Sequence, residues 1–429
     1  MKWLKQWQTR ILLILAVVGP GFITANVDND AGGIYTYSLA GAQFGYALLW
    51  SLIYITLALI VVQEMCARMG AVTGKGLSDL VREEYGLRVT FFMMALLVAI
   101  NLMNVVAEFI GVATSVGLFH GHYHGHDIYI SKFVSVPIAA VLVWLLVTKG
   151  NYKSVEKIFL TASFFYICYI IAGFLAKPDW TEALRATVVP PPRHVLFEKS
   201  YLYMLIAVIG TTIAPWMQFY LQASVVEKGV TAREYRTSRL DVVLGCVFTD
   251  VVAWFIIVAC AATLFATHQT NIEDAAGAAR ALKPLAGRYA YLLFGAGLFN
   301  ASIFAASILP LSTAYTVCEG LGFESGLDKK WGEAKVFYWL YSILVGAGAA
   351  AVLFIPDKLL IKVSVLSQVL NGVLLPPVLI YMLLLINKSS LMGKYVNSRF
   401  FNWVAWITAA ILITITGIYI VMLQVKTPK

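Results

Sequence analysis

Apolar residues run along this chain in long stretches separated by short polar ones. Eleven stretches can be delimited, at about 11–44, 46–68, 88–118, 129–148, 156–176, 200–225, 240–267, 287–319, 334–355, 359–386 and 400–425. Each approaches or exceeds the roughly 20 apolar residues a helix needs to cross the hydrocarbon core. The pattern therefore predicts an all-α integral membrane protein. The longest stretches call for tilt or a break.

Two stretches are interrupted in the middle. The first carries Asn26, Asp28, Asn29, Asp30, Gly32 and Gly33 inside an apolar run, residue types that favour turns over continuous helix. The sixth carries Gly210, Thr211, Thr212, Pro215 and Gln218. Pro215 removes a backbone donor and disfavours helix at the residue before it. Non-helical backbone persists at membrane depth only where protein or a water-filled cavity covers it. The breaks fall in segments one and six, so each opens a set of five. That arrangement predicts two inverted repeats, about 11–176 and 200–386, with an extra helix at about 400–425 and a transport site at the midplane.

Composition agrees. Of 429 residues, 60% are hydrophobic and 13% charged, against roughly 45–50% and 25% in soluble chains. The net charge of +9 sits in short loops and not in a separate basic domain, so no nucleic-acid partner is expected and the lipid bilayer is. With the N-terminus inside, the cytoplasmic stretches hold 20 of the 32 Lys and Arg residues, which predicts a cytoplasmic N-terminus and an outside C-terminus. The basic, then apolar, N-terminus lacks a small-residue cleavage site and reads as a retained helix. Nothing demands more than a monomer.

Candidate chemistry is sparse. The five cysteines, Cys66, Cys168, Cys246, Cys260 and Cys318, form no CxxC pair, which argues against a disulfide framework or zinc site. Gly74-Lys75-Gly76 lacks the context of a phosphate loop. No nucleophile–base pair or HExxH is present, so neither an enzyme nor a resident cofactor is expected. His120, His122, His124 and His126 lie in an outer loop, as a solvated tract or a peripheral metal site. Ionisable residues at depth mark function by default. They are Asp28 and Asp30 in the first break, Glu108 in segment three and Asp250 in segment seven. Asp30 is the leading cation ligand, and a helix cap at the same time; Asp28 is the weaker candidate. Glu108 fits a supporting acid, a proton acceptor or a neutral hydrogen-bonded group. Asp250 reads as a packing hydrogen bond, and Glu64 and Glu319 as interfacial.

Several stretches then converge on one family. Gly19-Pro20-Gly21-Phe22-Ile23, Asp30-Ala31-Gly32-Gly33 and Ala40-Gly41-Ala42-Gln43-Phe44-Gly45-Tyr46 resemble the first helix of the NRAMP divalent metal transporters. So do Gln63-Glu64-Met65-Cys66-Ala67-Arg68, running through Thr73-Gly74-Lys75-Gly76-Leu77 to Arg82-Glu83, and Ala107-Glu108-Phe109-Ile110-Gly111. Leu366-Ser367-Gln368-Val369-Leu370-Asn371 and Val396-Asn397-Ser398-Arg399 complete the set, which covers nearly the whole chain. The resemblance implies a leucine-transporter-like fold, with a divalent ion held between broken helices one and six.

The departures bear on the ion. Where the family has Asp-Pro-Gly-Asn, this chain has Asp30-Ala31-Gly32-Gly33, so the Asn ligand is a glycine. Where it has Met-Pro-His-Asn, this chain has Ala214-Pro215-Trp216-Met217; a register set on Tyr220-Leu221 shifts this by one residue, and either way the thioether and histidine are gone. The acid three residues before Glu108 is Val105, and Phe337 to Phe354 contains no arginine. These changes resemble the family's magnesium-transporting branch. The implied site is the Asp30 carboxylate, backbone carbonyls near Val27 and Thr211, and the Gln368 amide, with Gly33 and Ala214 in place of side-chain ligands. Gly33 is expected to widen the cavity, so that Gly33→Asn with Ala214→Met would restore manganese preference. Mg²⁺ transport with Mn²⁺ tolerated and no proton coupling is the leading expectation. Proton-coupled Mn²⁺ or Fe²⁺ uptake and an amino-acid or amine symporter are the alternatives.

Overall fold

In the computed structural model of the chain, the described residues are 19–424 apart from 119–120, 124–125, 129, 151–156, 159–160, 162, 271, 273–274 and 280–289. The chain is helical almost throughout. Helices α1 (Pro20–Asn26) and α2 (Ala31–Phe44) form the two halves of the first segment. Then come α3 (Leu49–Thr73), α4 (Leu77–Tyr85), α5 (Leu87–Gly117), α6 (Lys132–Lys149), α7 (Ile167–Leu175) and α8 (Trp180–Val188). The second half holds α9 (Lys199–Thr212), α10 (Pro215–Glu227), α11 (Tyr235–Cys260), α12 (Ala290–Leu321), α13 (Lys335–Phe354), α14 (Leu360–Ile386) and α15 (Arg399–Gln424). Among the described residues, nine spans are long and apolar enough to cross a membrane, with α9 and α10 together making one of them. The broken first segment and α7 account for the remaining two expected segments, the latter described only in part. Exposed Phe, Trp, Ile and Leu side chains stud the outer faces of α6, α13 and α15, as a lipid-facing surface requires.

A short antiparallel ribbon, β1 (Gly121–Tyr123) with β2 (His126–Ile128), interrupts the helical pattern, pairing His122 with Asp127 and Tyr123 with His126 along the backbone. His120 and His124 lie outside the described residues. The stretch near 68–88, read from sequence as a loop, contains α4, whose Leu77, Leu80 and Val81 are buried. Glu64 and Glu319, expected at the interface, are buried too, at 1% and 8% exposure. Glu64 is paired with Arg68 at 3.0 Å. Arg68 also donates to the carbonyls of Tyr395 and Val396, at 3.1 and 3.2 Å, and to Asn397 Oδ1. One end of the bundle is thereby tied through a largely buried guanidinium whose two terminal nitrogens meet four acceptors.

Helix α1 is only seven residues long and starts with Pro20 at its first turn. Its free amides are met from outside: Asp241 of α11 accepts from Gly19, Gly21 and Phe22 N–H at 2.8, 2.8 and 3.1 Å. A carboxylate over a helix start satisfies orphan donors and complements the dipole. Asp241→Ala leaves three donors unmet, two of them buried, and we expect it to cost about 3 kcal/mol. The check is the thermal unfolding midpoint of the purified protein, which should fall by several degrees; an unchanged midpoint would contradict this role.

Candidate metal site

The first break is one tight turn, Val27–Asn29, followed by Asp30 in extended backbone at φ −68° and ψ −177°. Asp30 is the N-cap of α2: its Oδ1 accepts the Gly33 N–H at 2.6 Å. Glu108, on α5, reaches the same helix start, where its Oε2 accepts the Ala31 N–H at 3.2 Å. Two carboxylates thus share the positive end of one helix, and each keeps an oxygen beyond its amide bond. Glu108 Oε1 is buried with no hydrogen-bond partner. Asp30 is 4% exposed. The cap and ligand roles are therefore compatible in Asp30, because one oxygen suffices for the cap.

The second break lies between α9 and α10. Ile213 leaves helical geometry at φ −124° and ψ 61°, and Ala214 caps α10 at φ −70° and ψ 140°, ahead of Pro215. The Gln218 side-chain amide, with its nitrogen turned inward, donates to the carbonyls of Ala214 and Pro215 at 2.6 and 2.7 Å. The Ala214 methyl supplies no ligand. Thr211 Oγ1 is buried and has no hydrogen-bond partner.

The two breaks meet through glycines. A side chain at Gly32 would strike the Gln368 amide of α14, and one at Gly33 would strike the Asp28 carbonyl oxygen, with Thr211 Oγ1 3.1 Å away. Asp30, Gly33, Thr211 and Gln368 are thus brought to one place, with Glu108 beside them. Val27 is fully buried at the start of the turn, and Ala214 stands on α10, which packs against α1. One expectation is corrected here. Gly33 does not open a cavity; it permits close approach of the unwound backbone to α2, and an Asn side chain has no space in this arrangement.

Asp250 also departs from its expected packing role. Both of its carboxylate oxygens lack a hydrogen-bond partner, and the Thr56 hydroxyl beside it donates to Leu52 O instead. Sequence reading also passed over an amide chain. Gln368 Oε1 accepts from Asn371 Nδ2 at 2.9 Å, Asn371 and Asn104 exchange bonds at 3.0 and 3.1 Å, and Asn101 Nδ2 donates to Thr313 Oγ1 at 2.9 Å. Its signal was present, because Asn101, Asn104 and Glu108 recur at i, i+3 and i+7, one face of a helix. Where a charged relay would need partners on α5 and α13, Val105 packs against Gly348.

A cavity of about 680 Å³ opens by the C-terminal part of α2 and the start of α9, lined by Leu39, Gln43, Met204 and Val365 among others. Val365 precedes Gln368 by three residues, or about 4.5 Å of helix. Among the described residues, no three His, Cys, Asp or Glu side chains gather into a metal-binding group. Any ion here would lean on oxygen donors and water.

Comparison with known proteins gives a consistent result. A family model described as natural resistance-associated macrophage protein-like (Nramp) matches residues 21–422. A divalent metal cation transporter MntH from Klebsiella pneumoniae (strain 342) is 26% identical over 412 residues, covering 95% of this chain and 94% of that one. Its counterpart from Klebsiella pneumoniae subsp. pneumoniae matches equally, at 26%. Among solved structures, a manganese transporter of Eremococcus coleocola in complex with an aromatic bis-isothiourea substituted compound superposes with a TM-score of 0.75, at 21% identity over 99% of this chain and 90% of that one. A mutant of the same transporter gives 0.76 at 20% identity, with the same coverage. These superpositions establish the leucine-transporter-like fold.

Proposed function

The chain belongs to the natural resistance-associated macrophage protein-like family, and on that premise we propose that it carries divalent metal cations across the bilayer, with Mg²⁺ as the main substrate, Mn²⁺ accepted and no accompanying proton flux. The donor set carries this reading. The positions that hold an amide and a thioether in the family pattern are Gly33 and Ala214 here, leaving the Asp30 carboxylate, the free Thr211 hydroxyl, backbone carbonyls near Val27 and Thr211, and the Gln368 amide. A thioether selects soft metals, and its loss removes that selection. Mg²⁺ sheds water reluctantly and is usually held by one or two carboxylates with several waters kept. Few direct ligands around one strong acid suit such an ion. Mn²⁺ also takes oxygen ligands, so it passes too.

The inference of no proton flux rests on the amide chain on the Glu108 face of α5. The neighbouring amides Asn101, Asn104, Asn371 and Gln368 do not titrate, and Val105 meets Gly348 without a charge. Proton-coupled manganese uptake is the second reading, and Glu108 beside the Asp30 helix start is the observation in its favour. Proteoliposomes carrying a pH dye inside separate the two. Mn²⁺ influx should leave internal pH unchanged; a metal-dependent acidification would establish the coupled reading instead.

A further inference from the structure

The unwound turn carries a second acid that transport through Asp30 does not use. Asp28 is 1% exposed, Asp250 of α11 is 4% exposed, and all four of their carboxylate oxygens lack a hydrogen-bond partner. The charges bearing on Asp28 are those of Asp250 and Asp30, with no Lys or Arg set against them. Asn29 follows Asp28 in the turn, and Thr249 precedes Asp250 on α11. Asn29 Nδ2 donates to Thr249 Oγ1 at 2.8 Å, which fixes the amide beside Asp250, and its Oδ1 is fully buried and without a partner. Asn26 Oδ1, on the same segment, is likewise unpartnered.

Buried acceptors are almost always satisfied, and a buried carboxyl group takes either a counter-charge or a proton. Here several buried acceptors on the turn and on α11 lack a hydrogen bond, the Thr56 hydroxyl beside Asp250 is turned to Leu52 O, and no protein cation faces them. We propose that Asp28, Asp250 and the Asn29 side-chain oxygen form a second site for a hard divalent cation, on the α11 side of the unwound turn. Two carboxylates neutralise one divalent charge, and oxygen-only donors suit Mg²⁺, Ca²⁺ or Mn²⁺. The charge balance of the whole break points the same way. Asp28, Asp30, Glu108 and Asp250 are four buried carboxyl groups, and an ion at Asp30 alone leaves Asp28 and Asp250 without one. This second site extends the transport reading and rests on it.

The test is Mn²⁺ binding to the purified full-length protein by equilibrium dialysis, comparing wild type, Asp30→Ala, and Asp30→Ala with Asp250→Asn. Asparagine keeps the shape of Asp250 and removes its charge. Asp30→Ala should retain about one Mn²⁺ per chain, and the added Asp250→Asn should abolish it. Wild-type binding that Asp30→Ala removes entirely would overturn the second site and leave the Asp30 site standing. No binding by wild type would overturn both. Should the double variant aggregate, Asp30→Ala alone still decides: residual Mn²⁺ that excess Mg²⁺ displaces supports an oxygen-only site, and no residual Mn²⁺ at all refutes it.

Discussion

Replacing Asp30 with alanine should reduce metal uptake to the level of protein-free liposomes while leaving a folded, extractable protein. Asp30 is the ionisable side chain that joins the α2 helix start to the meeting point of both breaks. Its loss as a cap costs only about 1 kcal/mol, and α2 is almost wholly buried against its neighbours, so the fold persists. Its loss as a ligand leaves neutral oxygens alone. A fall of at least about a hundredfold is expected, the equivalent of about 2.7 kcal/mol. Asp30→Asn separates the two roles, since asparagine caps as well as aspartate and lacks the charge. It should transport almost as poorly as alanine with wild-type stability. Full uptake by Asp30→Asn would assign Asp30 to capping alone.

The second large effect concerns Gly33. A single added methyl falls on the Asp28 carbonyl oxygen, which is backbone and cannot rotate away, with Thr211 Oγ1 at 3.1 Å behind it. Overpacking of this kind costs about 1–3 kcal/mol, and here it would push the unwound turn away from α2 and displace Asp28 and Asp30 together. Gly33→Ala should therefore lower both the unfolding midpoint and uptake, the latter by about tenfold or more. Gly33→Asn should fare worse, and pairing it with Ala214→Met should not yield a manganese-selective transporter. Uptake and stability like wild type in Gly33→Ala would mean that the close approach is dispensable.

Much of this was legible in the chain. Nine of the eleven apolar stretches are observed as spans among the described residues, and the Asn26–Gly33 and Gly210–Pro215 interruptions correspond to observed breaks, because lipid forces backbone polar groups to pair within the helix and Pro, Gly and Asp mark where that fails. The role of Asp30 at a helix start was also readable, from one acid ahead of a Gly-rich turn. The rest depends on what lies across the interface. Gly33 looks like empty space in a sequence and is a contact in three dimensions. Asp250 and Asp28 are 222 residues apart, so that they face one another without donors is a tertiary fact. The burial of Glu64 follows from Arg68 reaching Asn397, which no local pattern encodes. The Asn101–Asn104–Glu108 face was visible and is the one element that helical spacing alone could have supplied.

The central claim is that a site built on Asp30 with oxygen donors and no thioether passes magnesium. Its most direct measurement is Mg²⁺ influx into proteoliposomes at millimolar concentration, followed with a Mg²⁺-sensitive dye inside. The account predicts influx that saturates, is reduced by competing Mn²⁺ and is absent with Asp30→Ala. Uptake of Mn²⁺ or Fe²⁺ by the same vesicles with no Mg²⁺ signal would contradict it.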